Sequence, residues 1–213
     1  SLININSPLT FDSTMVGALE VLRDVARGTE PYAWTDELRQ RAQKAVERGI
    51  ACILACQIKV DGKLTAWGQQ HDELTLAPRP ARSFEPAALC TSESVGILRF
   101  LMTLDSPSAG VIRAIHAGAA WLDGPARLTG IRQVTAEDGD KRIVADPEAG
   151  PLWSRLYEIG SNRPVFGDRD GSVSHRLEEI SVERRKGYGW YGSWPRKLLT
   201  RDYPDWKRRH RSR

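Results

Sequence analysis

Residues 67–85 of the chain read WGQQHDELTLAPRPARSFE, a charged stretch between two apolar segments of helical period. Proline lacks a backbone N–H and biases the residue before it towards extended geometry, so Pro78 and Pro80 exclude a continuous helix. Charged loops are more often solvated connectors, but the interleaved Trp67 and Phe84 favour a binding surface. We therefore expect a functional loop at the centre of the chain.

Two amphipathic helices are predicted before this loop. Apolar residues recur every three or four positions over 15–25 and again over 38–54. Asp12 or Ser13 can cap the first helix and Thr35 or Asp36 the second, because their side-chain oxygens accept backbone N–H groups that a helix start leaves free. A short connection joins the two segments, so the sequence predicts an antiparallel helical hairpin.

A second pair of helices is predicted after the loop. Ser92 is placed to cap a third helix with an apolar face over 95–102, and a fourth helix has its apolar positions over 111–122. Helical pairs therefore flank the loop on both sides, although their sequences do not visibly repeat. This order indicates an architecture of repeated helical hairpins.

Shorter elements are predicted around these helices. Alternating apolar residues on either side of Asp61–Gly62, and again around 137–140, predict two β-hairpins. Residues 152–158 can form two turns of helix and 177–185 a modest helix. Between them, 163–171 is a second loop crowded with charge.

The composition is that of an ordinary globular chain. Of its 213 residues 40% are hydrophobic, enough for one sizeable core, and no linker divides the chain, so 1–213 is expected to form a single domain. No apolar run approaches the ~20 residues that a membrane span needs. Only seven of the 31 basic residues are lysine; arginine binds carboxylate or phosphate with a two-pronged group, although codon bias explains the excess equally well.

The sequence has no signature of a nucleophilic hydrolase, a zinc hydrolase or a nucleotide-binding enzyme. It offers loop arginines instead, namely Arg82, Arg155 and Arg169. Guanidinium groups near carboxylates and aromatic rings suit an anionic polymer, either nucleic acid or an acidic polysaccharide. Among the histidines, only His71, beside Asp72, has a suggestive setting.

Structural explanations compete with these functional ones. Arg155 lies in a segment of helical pattern, where a solvated position is more common than a binding role. Trp190 and Trp194 can form a stacking platform for sugars, but a tryptophan is more often part of the core. The three cysteines have no metal-binding or redox spacing and are expected to be inert, buried thiols.

Four segments resemble a known family in their order and motifs. They are VDGKLTAWGQQHDELTLAPRPARSFEP, SESVGILRFLM, ADPEAGPLWSRLYEIGSNRPVFGDRDG and RRKGYGWYGSWP, at 60–86, 92–102, 145–171 and 184–195. On these segments the chain resembles polysaccharide lyase family 10, the pectate lyases, over nearly its whole length.

The resemblance implies a mainly α fold, an incomplete (α/α) toroid of helical hairpins with short β-hairpins and long groove loops. It implies β-eliminative cleavage of α-1,4-polygalacturonate (pectate), with Ca²⁺ as cofactor and no nucleic-acid or membrane partner. A secreted or periplasmic monomer is expected. The matching residues are Arg82 as base, Arg155, Arg169, His71 and Asp72 for substrate binding, and Asp12 as a calcium ligand.

The base role of Arg82 carries a chemical condition. Arginine is ordinarily always protonated, so its pKa must be strongly lowered before the side chain can accept a proton. Burial or a neighbouring cation can lower it. Arg79 is the candidate neighbour in the same loop.

Departures from the family bear on activity. The family's Asp-Asn calcium motif precedes the segment that matches Asp12, so the chain resembles the C-terminal two-thirds of the catalytic module. Ser13 replaces a second acidic or amide residue, and Leu74 stands where a lysine is expected. Two alternatives stay open: a non-catalytic binder of acidic polysaccharide, and a nucleic-acid-binding module that uses the basic tail at 207–213.

Overall fold

Helices form the frame of the protein, whose computed structural model describes residues 9–10, 14–30 and 34–210. The helices are Thr14–Arg27 (α1), Asp36–Cys56 (α2), Thr91–Met102 (α3), Ala109–Asp123 (α4), Val182–Gly187 (α5), Trp194–Lys197 (α6) and Tyr203–His210 (α7). A 3₁₀ turn, Leu177–Glu179, precedes α5, and a π-helical turn, Leu198–Asp202, joins α6 to α7. None of the helices described has the length and hydrophobicity needed to cross a membrane.

Short antiparallel strands connect the helices. They are Leu9–Thr10 (β1), Lys59–Val60 (β2), Lys63–Leu64 (β3), Gln70–His71 (β4), Pro78–Arg79 (β5), Leu89–Cys90 (β6), Ile131–Thr135 (β7), Lys141–Ala145 (β8), Trp153–Ser154 (β9), Leu156–Tyr157 (β10), Phe166–Gly167 (β11), Val173–Ser174 (β12) and Tyr191–Gly192 (β13). Strand β4 lies between β1 and β5, and the remaining pairs are β2–β3, β6–β10, β7–β8, β9–β13 and β11–β12. The pairs β6–β10 and β9–β13 bring 153–157 against segments distant in sequence.

The four long helices agree with the sequence-based predictions. α1 packs against α2, and α3 packs against α4. Thr35 caps α2 as expected, since its side chain accepts the backbone N–H of Leu38 at 3.3 Å. The two predicted caps of α1, Asp12 and Ser13, lie outside the described residues. Both β-hairpins are also confirmed, as β2–β3 and β7–β8.

The sequence predictions failed at three places, and at the first of them tertiary pairing overrides the local pattern. Residues 152–158 form strands β9 and β10 rather than a helix, because their backbone groups pair with β13 and β6. Helix α3 begins one residue before Ser92, which caps nothing and bonds Arg155 instead. The helix expected over 177–185 is split into the 3₁₀ turn and α5, whose N-cap is Ser181.

Apolar side chains form two clusters that anchor the central loop at both ends. Trp67, completely buried, belongs to the larger cluster around α3 and α4, and its indole donates to the carbonyl of Ile53 at 2.7 Å. Phe84 belongs to the smaller cluster with Phe166 and Trp190. Trp190 has no exposed surface. It is therefore a core residue, which is the more common role of a tryptophan. The single-domain boundary, 1–213, stays a prediction.

Replacing Gly167 with alanine should destabilise this second cluster. An ideal Cβ at Gly167 lies 2.4 Å from the carbonyl oxygen of Phe84, so the backbone must shift, at a cost of about 1–3 kcal/mol. Urea unfolding should show a lower midpoint. In the control Gly17→Ala, in α1, the new methyl meets no described atom within 4 Å and should stabilise by up to ~1 kcal/mol. An unchanged midpoint for Gly167→Ala would contradict the contact.

Candidate functional site

The first half of the central loop is a tight turn organised by Asp72. One carboxylate oxygen accepts the backbone N–H groups of Leu74 and Thr75 at 3.0 and 2.8 Å, and the other accepts Arg79 at 2.9 Å. The N–H bonds, that of Thr75 first, lower the pKa of Asp72. Both oxygens therefore stabilise the turn between β4 and β5, and the predicted contact of Asp72 with substrate stays a prediction.

His71 lies beneath this turn with no exposed surface. Its Nε2 accepts the backbone N–H of Gly68 at 3.1 Å, which leaves Nδ1–H to donate to the carbonyl of Leu76 at 2.9 Å. Burial lowers the pKa of His71, in agreement with a neutral ring. An imidazole so enclosed offers no surface to a polysaccharide, so its predicted substrate contact finds no support in this placement.

The second half of the loop folds over the buried carboxylate of Glu85, which is 1% exposed. Arg82 donates to it from Nε at 2.8 Å, from Nη2, and from its backbone N–H at 3.1 Å. Gln69 and the hydroxyl of Tyr188 donate at 2.8 and 2.6 Å. Burial alone would raise the pKa of Glu85, but these hydrogen bonds outweigh it and lower the pKa to about 2. Glu85 is therefore an anion beneath Arg82 at neutral pH.

The contacts of Arg82 oppose the lowered pKa that a catalytic base would need. Its hydrogen bonds to Glu85, more than any other effect, raise the pKa of the guanidinium above its ordinary value. Arg79, the cation expected to lower that pKa, is paired with Asp72. The lowered pKa that a base needs is therefore not a property of Arg82 in this arrangement. Its side chain is nevertheless accessible, with 59% of its surface exposed.

Two aromatic rings gather the arginines. The guanidinium carbons of Arg82, Arg169 and Arg184 lie 4.7, 5.8 and 4.4 Å from the centre of the Phe84 ring. Those of Arg82 and Arg155 lie 5.4 and 5.0 Å from the ring of Tyr188, which meets Phe84 edge-on at 5.2 Å. We call these four residues, Arg82, Arg155, Arg169 and Arg184, the arginine cluster.

Arg155 is held between strands β9 and β10 and is not a solvated helix residue. Nε donates to the carbonyl of Gly189 at 2.9 Å, and Nη1 donates to the hydroxyl of Ser92 at 2.9 Å. Nη1 also lies 3.4 Å from a carboxylate oxygen of Glu93. The side chain, 20% exposed, lines an open cleft of about 610 Å³ together with Trp194. Its position is fixed by strand pairing that the local sequence does not encode.

Arg169 projects from the second charged loop and is paired with Glu183 of α5. Its Nε and Nη2 donate to the two carboxylate oxygens at 3.1 and 3.0 Å. Asp168 fixes this loop against the helix start, since its carboxylate accepts the backbone N–H and hydroxyl of Ser181. The fold thus brings the three arginines predicted from sequence into one cluster.

The anions and the ring that organise this cluster were not predictable from local sequence patterns. Glu85 stood in the quoted stretch without a role, and Glu183 and Arg184 were part of a nondescript helix. Tyr188 was visible only as one aromatic in a glycine-rich run. Tyr188 bridges Arg82 and Arg155 because its hydroxyl is bound to Glu85, 103 residues away in the chain, which a sequence alone does not reveal.

Calcium ligands are the part of the expected site that this geometry does not supply. In the described ranges, no three His, Cys, Asp or Glu side chains converge as a metal would require. Asp12, the predicted ligand, lies outside those ranges. The described residues therefore do not form a calcium site by themselves, and calcium binding stays a prediction.

Two comparisons with known proteins found matches to this chain. The family model of pectic acid lyase matches residues 5–199. A solved family 10 polysaccharide lyase from Cellvibrio cellulosa is 34% identical, with a TM-score of 0.85, over 93% of this chain and 62% of that chain. An aspartate-to-alanine mutant of a family 10 polysaccharide lyase from Cellvibrio cellulosa, in complex with trigalacturonic acid, is 35% identical with the same TM-score and coverage.

No curated protein matches the chain. The structural matches confirm the predicted mainly helical, incomplete toroid. The chain spans 62% of the length of these two solved structures.

Glu85 should make stability depend on acid. Its pKa is about 2 in the fold against an ordinary 4.5, so its contribution is complete above about 4.5 and is lost as the pH falls towards 2. Urea unfolding at stepped pH should show this loss in the wild type. Glu85→Gln cannot titrate and should be less stable at neutral pH, with a flatter profile in that window. Glu137→Gln, at an exposed turn, should keep the wild-type slope; an equal slope in Glu85→Gln would contradict the assignment.

Proposed function

This chain belongs to the pectic acid lyase family, and we propose that its protein cleaves polygalacturonate by β-elimination. One observation carries the proposal: the fold collects Arg82, Arg155 and Arg169 around two aromatic rings. Guanidinium groups bind carboxylates bidentately, and every sugar of polygalacturonate bears one. A cluster of this kind suits a polymer of uronic acid.

The elimination needs positive charge beside the substrate carboxylate. A base removes the proton at C5 while the carboxylate draws the electron density. A double bond then forms between C4 and C5, and the oxygen at C4 leaves with the departing chain and takes up a proton from solvent. Negative charge that develops at C5 is stabilised by preorganised cations, and such groups typically contribute about 10²–10³ in rate. We assign Arg155 and Arg169 to the carboxylates of the bound sugars.

Arg82 is the proposed acceptor of the C5 proton. Its pairing with Glu85 keeps the guanidinium protonated in the free protein, so the base role requires the bound substrate to separate the two. Glu85 keeps donors after that separation, since Gln69 and Tyr188 also bind it. The buried carboxylate then loses its charged partner but keeps these two hydrogen bonds, so the separation has a free-energy cost that substrate binding must offset.

A second candidate function is non-catalytic binding of acidic polysaccharide. The raised pKa of Arg82 favours it, because a guanidinium that stays charged holds a carboxylate and removes no proton. The two functions differ in product. A lyase releases oligomers with a new double bond, which absorb ultraviolet light, whereas a binding protein leaves the polymer intact.

Arg82→Ala should abolish the release of unsaturated product from polygalacturonate, with kcat lowered at least ~10²-fold, the usual minimum for loss of acid–base catalysis. Arg82→Lys keeps a positive charge at this position, so it distinguishes a role in substrate binding from a role in proton transfer. The matched control Arg132→Ala removes an arginine of similar exposure, 57%, from strand β7 and should keep full activity. Wild-type protein that binds polygalacturonate without forming product would establish the binding function instead.

Calcium is the proposed cofactor, bound through Asp12 and groups beyond the described ranges. A chelator should stop product formation and added Ca²⁺ should restore it, because carboxylate oxygens are hard ligands suited to this ion. Asp12→Ala should raise the Ca²⁺ concentration needed for half-maximal activity, while Asp146→Ala, next to β8, should not. Full activity in chelator would reject the cofactor. We also infer a secreted or periplasmic protein that acts as a monomer.

A further inference from the structure

One carboxylate, that of Glu183, is shared by two arginines of unequal exposure. Arg169 binds it through Nε and Nη2 at 3.1 and 3.0 Å. Arg184 binds the same two oxygens, with Nε at 2.6 Å and a further bond from Nη2. The side chain of Arg169 is 62% exposed and that of Arg184 only 6%. The carboxylate thus has one external and one internal partner.

The internal partner is fixed in place. The guanidinium of Arg184 lies 4.4 Å from the centre of the Phe84 ring, and its backbone carbonyl accepts the buried indole of Trp190 at 3.0 Å. Moving Arg184 would disturb the second apolar cluster. Its hydrogen bonds, followed by those of Arg169, lower the pKa of Glu183 to about 2, so the carboxylate is charged at neutral pH.

The external partner is exchangeable. Arg169 and Glu183 are both more than half exposed, and ion pairs of this kind contribute only about 0.2–1 kcal/mol because water and salt screen them. When Arg169 leaves, Glu183 keeps both bonds to Arg184, so no anion is stranded. An incoming carboxylate can therefore replace Glu183 on Arg169 at little cost.

We propose that Glu183 takes the place of the substrate carboxylate in the free protein. There it pairs with Arg169, and a uronate carboxylate replaces it on Arg169 when the substrate binds. This inference rests on the proposed function, because it takes Arg169 as a substrate-binding residue. It adds a role for Glu183: the glutamate keeps the Arg169 guanidinium oriented in the empty site, competes with the bound sugar and takes Arg169 back when the product leaves.

The test is a double-mutant cycle with tetragalacturonate as the probe, its affinity measured by calorimetry at low salt. Glu183→Gln should bind about 1.5- to 5-fold more tightly than the wild type, the equivalent of the exposed pair it removes. This gain in affinity should vanish in the Arg169→Ala background, because Glu183 and the substrate then have no Arg169 guanidinium to compete for. Glu178→Gln, which removes an equally charged and similarly exposed partner of Arg176, is the matched control and should bind as the wild type does.

Three outcomes overturn the inference. Glu183→Gln that binds no more tightly, a gain that survives in Arg169→Ala, or an equal gain in Glu178→Gln would each show that Glu183 does not compete for Arg169. In these cases the proposed function stands as long as Arg169→Ala weakens binding. A wild-type protein that does not bind tetragalacturonate would instead reject the proposed function and the inference together.

A structure of the wild type with trigalacturonate bound gives an independent check that needs no variant. The inference requires Arg169 and Glu183 to separate beyond the ~4 Å of an ion pair, while Arg184 stays on Glu183. An intact Arg169–Glu183 pair beside an ordered sugar would overturn it.

Discussion

A carboxylate hidden from water needs hydrogen bonds and positive charge around it, and Glu85 receives both from three separate parts of the chain. Gln69 lies near the start of the central loop, Arg82 near its end, and Tyr188 in the distant aromatic run. These bonds fix where the loop ends, and they place the ring of Tyr188 beneath Arg82 and Arg155. This one buried anion therefore positions Arg82 directly and Arg155 through the ring of Tyr188.

Much of the helical frame could be predicted because its signals are local. Helix α2 shows its period and its cap at Thr35 within its own residues, and the turn at Asp61–Gly62 marks a hairpin because both residues adopt positive φ, 50° and 74°. The segment around Arg155 gave no such signal. Trp153, Leu156 and Tyr157 are all buried, so burial on both faces erases the alternation by which a strand is normally recognised.

The candidate site was predictable only in part, for a related reason. Loop arginines stand out in a sequence, and Arg82, Arg155 and Arg169 do meet in space. Their protonation depends on partners brought near by folding, and Glu85 gives Arg82 a higher pKa where a base requires a lower one. A list of cations says little about their chemistry until the neighbouring anions are known.

The ring of Phe84 has a further consequence for the protein as a whole. Three guanidinium groups approach this ring, and nearby carboxylates oppose their mutual repulsion. Hydrogen bonds to Glu183 raise the pKa of Arg169, whereas the neighbouring charge of Arg82 lowers it by a smaller amount. Among the described residues, Glu85 and Glu183 pair with members of the cluster and offset part of its positive charge. A ligand with several negative charges would offset more of it, and by mass action the folded state gains stability from any ligand that it binds in preference to the unfolded chain. The polyanion of the proposed function would therefore raise the thermal stability of the protein as its concentration rises.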